Sequence, residues 1–82
     1  MIEPAADQGI DQVVALGIYE HYSGKRYQVL GVAQHTETSE TVIVYRSLYG
    51  DFALWVRPKS MFLEHIEKNG QLIPRFKLVS NA

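Results

Sequence analysis

Three short turn signals are the sequence feature that most constrains this fold, because they divide the chain into segments that suit strands better than long helices. The signals are Ser23-Gly24-Lys25, Gly50-Asp51 and Asn69-Gly70. Glycine and asparagine tolerate the positive φ angles that tight hairpin turns need. The neighbouring segments are rich in β-branched and aromatic residues, which favour strands. The pattern therefore predicts a mainly β chain built from hairpins.

Five strands are expected, with a short helical turn before the last one. The predicted strands are residues 18–22, 27–34, 41–49, 52–57 and 72–76, and residues 35–40 form a polar loop. Gly31 indicates a bulge or bend in the second strand. Pro58 ends the fourth strand, Ser60 is placed to cap the helical turn, and Pro74 makes the last strand an edge. The expected fold is a small, strongly bent five-stranded antiparallel sheet that resembles an SH3-like barrel in strand count and order.

The 82-residue length allows a single domain. We assign residues 17–78 to the small β-barrel domain, residues 1–16 to an N-terminal extension and residues 79–82 to a tail. In the extension, Ile10, Val13 and Val14 fall on one helical stripe, which predicts a short helix over about residues 11–16. An arm docked by a few residues is the alternative.

Composition excludes several classes of function. The chain has eight Lys and Arg residues, a net charge of −1 and no Cys, and its pI is about 6.3. Non-specific binding of duplex DNA is therefore not expected. The absence of Cys excludes disulfides, thiolate zinc sites and a cysteine nucleophile, and it agrees with a cytoplasmic location. No apolar run is long enough to span a membrane.

No metal or cofactor is expected, because the three histidines lack metal-ligand spacing and no glycine-rich phosphate loop occurs. His35 opens the polar loop, and Glu37 follows two residues later. On an extended segment both side chains point the same way, which would suit an imidazole oriented by a carboxylate. The alternative is a solvated loop whose side chains make local turns.

The central hairpin predicts which side chains are buried. A two-residue Gly50-Asp51 loop would pair Tyr45 with Val56 and Arg46 with Trp55. The core face would then consist of Ile43, Tyr45, Tyr49, Phe52, Leu54 and Val56. Replacing Leu54 by Ala should then cost about 2–5 kcal/mol of stability. Trp55, Arg46 and Arg57 would form an exposed patch on the other face, unless the N-terminal helix or the turn at residues 61–62 covers Trp55.

Several motifs carry a resemblance to a known family. They are Tyr22-Ser23-Gly24, residues 27–33, residues 35–38, residues 44–51, Trp55-Val56-Arg57-Pro58 and Ser60-Met61-Phe62. Over residues 22–76 the chain resembles a family of small bacterial proteins known as domain of unknown function 1653. The resemblance implies the family's fold and cellular context, but no mechanism. The motif positions that it marks for testing are His35, Glu37, Tyr45, Tyr49, Trp55 and Arg57.

Two functional hypotheses follow. The sequence favours a non-catalytic module that binds a peptide, a nucleotide or an RNA element, and the expected partner is a protein, a peptide or a small-molecule ligand. Its candidate binding residues are Trp55, Arg57, Arg46, Tyr45, Tyr49, His35 and Glu37, and Tyr19 and Tyr22 would extend the aromatic platform. The alternative is a small hydrolase-like or nucleotide-processing enzyme that uses His35 and Glu37 beside Arg57. Convergence of these three side chains in one pocket would favour the enzyme.

Overall fold

The computed structural model describes residues 13–81. It contains β1 (Gly17–His21), β2 (Arg26–Gln34), β3 (Thr41–Ser47), β4 (Leu54–Pro58), α1 (Lys59–Phe62), β5 (His65–Lys68), β6 (Gln71–Pro74) and β7 (Phe76–Ser80). An antiparallel five-stranded sheet has the order β4-β3-β2-β1-β7, and β5 and β6 form a separate two-stranded sheet. The mainly β class is confirmed. Over the described range the larger sheet stays open, with β4 and β7 at its edges, so the structure does not show the expected barrel.

The first hairpin and its bend agree with the prediction. β1 and β2 pair on either side of the Ser23-Gly24 turn. The register of β2 against β3 shifts between Val29 and Gly31, which leaves Leu30 as the additional residue of a β-bulge. A bulge increases the local twist and bends the strand. The glycine-based prediction of a bend in β2 is therefore confirmed.

The predicted register of the central hairpin is wrong by one residue. Tyr45 pairs with Trp55 and Arg46 with Leu54. A shift by one residue moves every side chain of β4 to the other face of the sheet. Leu54 and Val56 are consequently exposed, by 56% and 63%, instead of forming the core.

The physical reason for the shift is one more residue in the loop. The turn at Gly50-Asp51 forms, because the backbone N–H of Phe52 donates to the carbonyl of Tyr49. Phe52 then adopts a left-handed conformation with φ of 55°. A non-glycine residue seldom occupies that region, so local propensity does not predict it. The strand ladder resumes only at Ala53, whose carbonyl accepts the N–H of Ser47.

Three strands, β5 to β7, replace the single strand expected near the end of the chain. Asn69 and Gly70, with φ of 54° and 79°, form the two-residue turn between β5 and β6. Two positive φ angles characterise the type I′ hairpin turn, so this predicted turn is confirmed. The helix α1 begins directly after Pro58, and no side chain caps it, which corrects the expected Ser60 cap. β7 then extends the larger sheet beside β1.

One face of the larger sheet carries the hydrophobic core. The buried cluster consists of Val14, Tyr19, Val29, Ile43, Tyr45, Phe62 and Phe76. Phe62 of α1 stacks on Phe76 of β7 with ring centroids 4.3 Å apart. The helix itself lies against β3 and β4, and the Phe62 ring reaches from it to Tyr19 of β1 as well as to Phe76.

Residues 11–12 of the predicted N-terminal helix lie outside the described residues, and its residues 13–16 are not helical. Within residues 13–81 no helix is long and apolar enough to cross a membrane.

Candidate ligand pocket

A tyrosine-rich pocket lies on the core face of the larger sheet, over β2, β3 and β4. It has a volume of about 210 Å³ and is lined by Tyr27, Tyr45, Tyr49, Trp55 and Arg57. Phe76 and Phe62 pack against Tyr45, with ring centroids 5.7 and 5.9 Å away. The pocket is thus an uncovered extension of the aromatic core.

Strand pairing places these side chains on one face. Tyr45 pairs with Trp55, and the neighbouring core residue Ile43 pairs with Arg57. Cross-strand partners point to the same face of a sheet, so Trp55 and Arg57 share the face of the core. Tyr27 reaches the same face from β2 and packs edge-to-face on Tyr45, with centroids 5.4 Å apart.

The hydrogen bonds inside the pocket leave an excess of donors. The Arg57 Nε–H donates to the Tyr45 hydroxyl oxygen over 3.1 Å. The hydroxyl groups of Tyr27 and Tyr49 lie 2.6 Å apart and share one hydrogen bond. Because each phenol has one O–H, the Tyr45 hydroxyl and one of the other two keep a hydrogen to donate. The terminal nitrogens of Arg57 add further donors.

Tyr27 remains protonated across the physiological pH range. Burial, followed by the hydrogen bond and charge of Tyr49 and then by Tyr45, raises the pKa of Tyr27 to about 12, although Arg57 acts in the opposite direction. A phenol with so high a pKa serves as a neutral hydrogen-bonding group rather than as a base or nucleophile.

The pocket carries positive charge without an internal counterion. The ion pairs of the described residues join Arg26 to Glu20 and Arg75 to Glu64, and neither involves Arg57. The Arg57 guanidinium lies 5.6 Å from the centroid of the Phe76 ring. Lys25 Nζ lies 4.7 Å from the Tyr49 ring centroid. The two cations therefore face aromatic rings, and none of the five lining residues is acidic.

Four of the predicted site residues meet here: Trp55, Arg57, Tyr45 and Tyr49. The predicted contact of Arg46 with Trp55 is wrong, because Arg46 lies on the opposite face and donates from Nη1 to the Phe52 carbonyl. Trp55 is 52% exposed, so neither α1 nor another described segment buries it.

His35 and Glu37 belong to a different part of the molecule. His35 Nδ1 accepts the backbone N–H of Glu37, a local contact within the loop that joins β2 to β3. Across residues 13–81, no hydrogen bond, ion pair or shared pocket links either side chain to Arg57. The geometry set out for the enzyme hypothesis is therefore not observed. No group of three or more His, Asp or Glu side chains suitable for a metal occurs in the described range either.

Tyr19 and Tyr22 do not extend the pocket. Tyr19 is a core residue whose hydroxyl donates to the carbonyl of Ala15. Tyr22 lines a second cavity of about 340 Å³ with Glu20, His21, Ile73, Pro74 and Lys77. This cavity is larger, but its lining combines an acid with a base and has no clear charge preference.

Tyr27 is the site residue that sequence reasoning missed. It lies in the predicted second strand and in the family motif, but the predicted core face was derived from the central hairpin alone. The available signal was the alternation of Tyr27 with the core residue Val29, which puts both on one face.

The comparisons with known proteins agree with the motif-based resemblance. Residues 17–78 match DUF1653, a family described as proteins of unknown function. The fold is similar to the crystal structure of a DUF1653 protein from Bordetella bronchiseptica, with a TM-score of 0.79 and 33% sequence identity, over 87% of this chain and 94% of that chain. The chain matches none of the curated proteins. Because the family match spans most of the chain and the solved relative shares both sequence and fold, the chain belongs to the DUF1653 family.

Proposed function

We propose that this protein is a non-catalytic binding module whose tyrosine-rich pocket recognises an anionic oxygen group attached to a flat or apolar group. The observation that best supports this proposal is the excess of hydrogen-bond donors in the pocket. Arg57 and Tyr45 present hydrogens to the same small space, and no lining residue is an acid. A carboxylate or a phosphate accepts several such hydrogen bonds at once.

The size of the pocket supports a small ligand group. Its volume of about 210 Å³ somewhat exceeds the roughly 150 Å³ of a cavity that binds benzene. Trp55 offers an exposed ring at the rim for apolar contact. The proposed ligand portion is therefore a single ring or short apolar group with one anionic head.

This function is tested by measuring the binding of three probes: phenyl phosphate, benzoate and neutral benzyl alcohol. Trp55 is the single tryptophan, so its fluorescence reports binding at the pocket directly. We expect both anions to bind and benzyl alcohol to bind at least about tenfold more weakly, as the loss of charge-assisted hydrogen bonds predicts. The relative affinities of the two anions identify the preferred head group.

Matched arginine variants provide the control. Arg57→Met keeps the apolar stem and removes the donors, and it should weaken anion binding about tenfold or more. Arg46→Met makes the same change on the opposite face of the same hairpin and should leave the affinity unchanged. Equal losses in the two variants, or equal binding of the neutral probe, would contradict the proposed function.

A further inference from the structure

We infer that the anionic group belongs to an extended acidic peptide that pairs antiparallel with the free edge of β4. This inference rests on the proposed function of the pocket and adds the class of partner. β4 is the last strand of the larger sheet and pairs with β3 on one side only within the described residues. An exposed strand edge is a ready template for a further strand.

The hydrogen-bond pattern shows which groups of β4 face outwards. Ser47 and Ala53 form a hydrogen-bonded pair at the start of the β3–β4 ladder. Hydrogen-bonded and non-hydrogen-bonded pairs alternate in an antiparallel ladder, so Trp55 and Arg57 bond to β3. The backbone groups of Leu54 and Val56 therefore point to the free edge. Pro58 lies two residues beyond Val56, so its backbone nitrogen also points to the free edge. Its missing N–H therefore costs no hydrogen bond to β3.

The side chains along this edge are apolar on both faces of the sheet. Leu54 and Val56 are 56% and 63% exposed on one face, and Trp55 is 52% exposed on the pocket face. A docked strand would cover all three at once. Its own residues alternate, so every second side chain would meet Trp55 and Arg57 while the others lie over Leu54 and Val56.

Charge selects the partner. Arg57 has no carboxylate partner within residues 13–81, and its side chain lines the pocket. An acidic side chain on the pocket face of the docked strand would supply the missing anion. A second copy of β4 carries Arg57 and no acid, so it would leave both guanidinium groups without a counterion. The geometry therefore favours an acidic peptide over self-association.

A short alternating Thr/Val peptide, acetylated and amidated at its ends, is a suitable probe. Versions with Glu, Gln or Lys at the central position are compared by fluorescence anisotropy with the full chain. We expect the Glu peptide to bind about tenfold more tightly than the Gln peptide, with the Lys peptide weakest. This preference should disappear in Arg57→Met and persist in Arg46→Met.

Backbone pairing is tested separately from charge. Val56→Pro removes an outward N–H without breaking the ladder to β3, and it should abolish peptide binding while phenyl phosphate still binds the pocket. Val56→Thr keeps the N–H and should retain the peptide. In antiparallel docking the Glu residue has its N–H turned away from β4. N-methylation of that residue should then be tolerated, whereas N-methylation of its neighbours should prevent binding.

The outcomes distinguish the two proposals. Phenyl phosphate binding without any preference for the Glu peptide would overturn peptide docking and leave the pocket function intact. Unchanged peptide binding by Val56→Pro, or the opposite N-methylation pattern, would also overturn it. A stable dimer in sedimentation velocity that Val56→Pro dissociates would assign the edge to a second copy instead. If the unmodified protein does not bind phenyl phosphate, both the pocket function and the peptide docking are contradicted.

Discussion

His21 shows how a single side chain responds to burial and to the positive charge around the aromatic core. Its ring packs against Phe76 and Tyr22, with centroids 4.9 and 4.3 Å away. Its Nδ1 accepts the backbone N–H of Ser23, which places the proton of the neutral ring on Nε2. Burial, followed by the charges of Arg57 and Arg75, lowers the pKa of His21 below its usual value of 6.5. The folded state therefore favours the neutral ring.

Stability should consequently fall as the pH drops. Below pH 6.5 the unfolded chain binds a proton that the folded chain resists, so His21 begins to oppose folding there and the effect grows until its folded pKa is reached. Urea unfolding at several pH values between about 7.5 and 5 measures this dependence. His21→Gln should flatten it, and His65→Gln, which changes an exposed residue of β5, should not. Identical pH profiles for the unmodified chain and His21→Gln would show that His21 does not contribute.

At the scale of elements, the β3–β4 register determines which residues stabilise the sheet. Ile43 is fully buried, whereas Leu54 is more than half exposed. Ile43→Ala should cost about 2–5 kcal/mol of unfolding free energy. Leu54→Ala should change it by no more than about 0.5 kcal/mol. Urea titration of both variants tests the register. A larger loss of unfolding free energy for Leu54→Ala than for Ile43→Ala would support the register predicted from the turn signal instead.

The same hairpins show how far sequence reasoning extends. The Asn69-Gly70 turn was predictable because both residues tolerate the positive φ angles that a two-residue hairpin loop requires. The Gly50-Asp51 turn was also recognisable, but the left-handed Phe52 that follows it has no local signal. The pocket residues Trp55 and Arg57 were identified together because they share parity along β4. The face of the sheet on which they lie was not predicted, because it depends on the additional loop residue Phe52.

At the scale of the whole molecule, β1 and β7 pair at the edge of the sheet and approach each other closely at Gly17. A Cβ atom at Gly17 would lie 2.4 Å from the backbone carbonyl oxygen of Ser80, and the φ of Gly17 is +147°. Gly17→Ala should therefore lower stability by about 1–3 kcal/mol, as overpacking does. Gly31→Ala is the matched control, because an added Cβ there meets nothing within 4 Å. Equal urea midpoints for the two variants would contradict a tight β1–β7 contact.

The pairing of β1 with β7 has a consequence for synthesis of the chain. His21 pairs with Phe76 and Tyr19 with Leu78, so contacts distant in sequence complete the sheet, and such contacts form slowly. On the ribosome, β1 to β4 emerge well before Phe76, whose ring is the stacking partner of Phe62. Until β7 has left the exit tunnel, the nascent sheet thus lacks the ring that packs on Tyr45 and Phe62. Arrest-peptide force measurements on chains of increasing length should register folding only beyond that point.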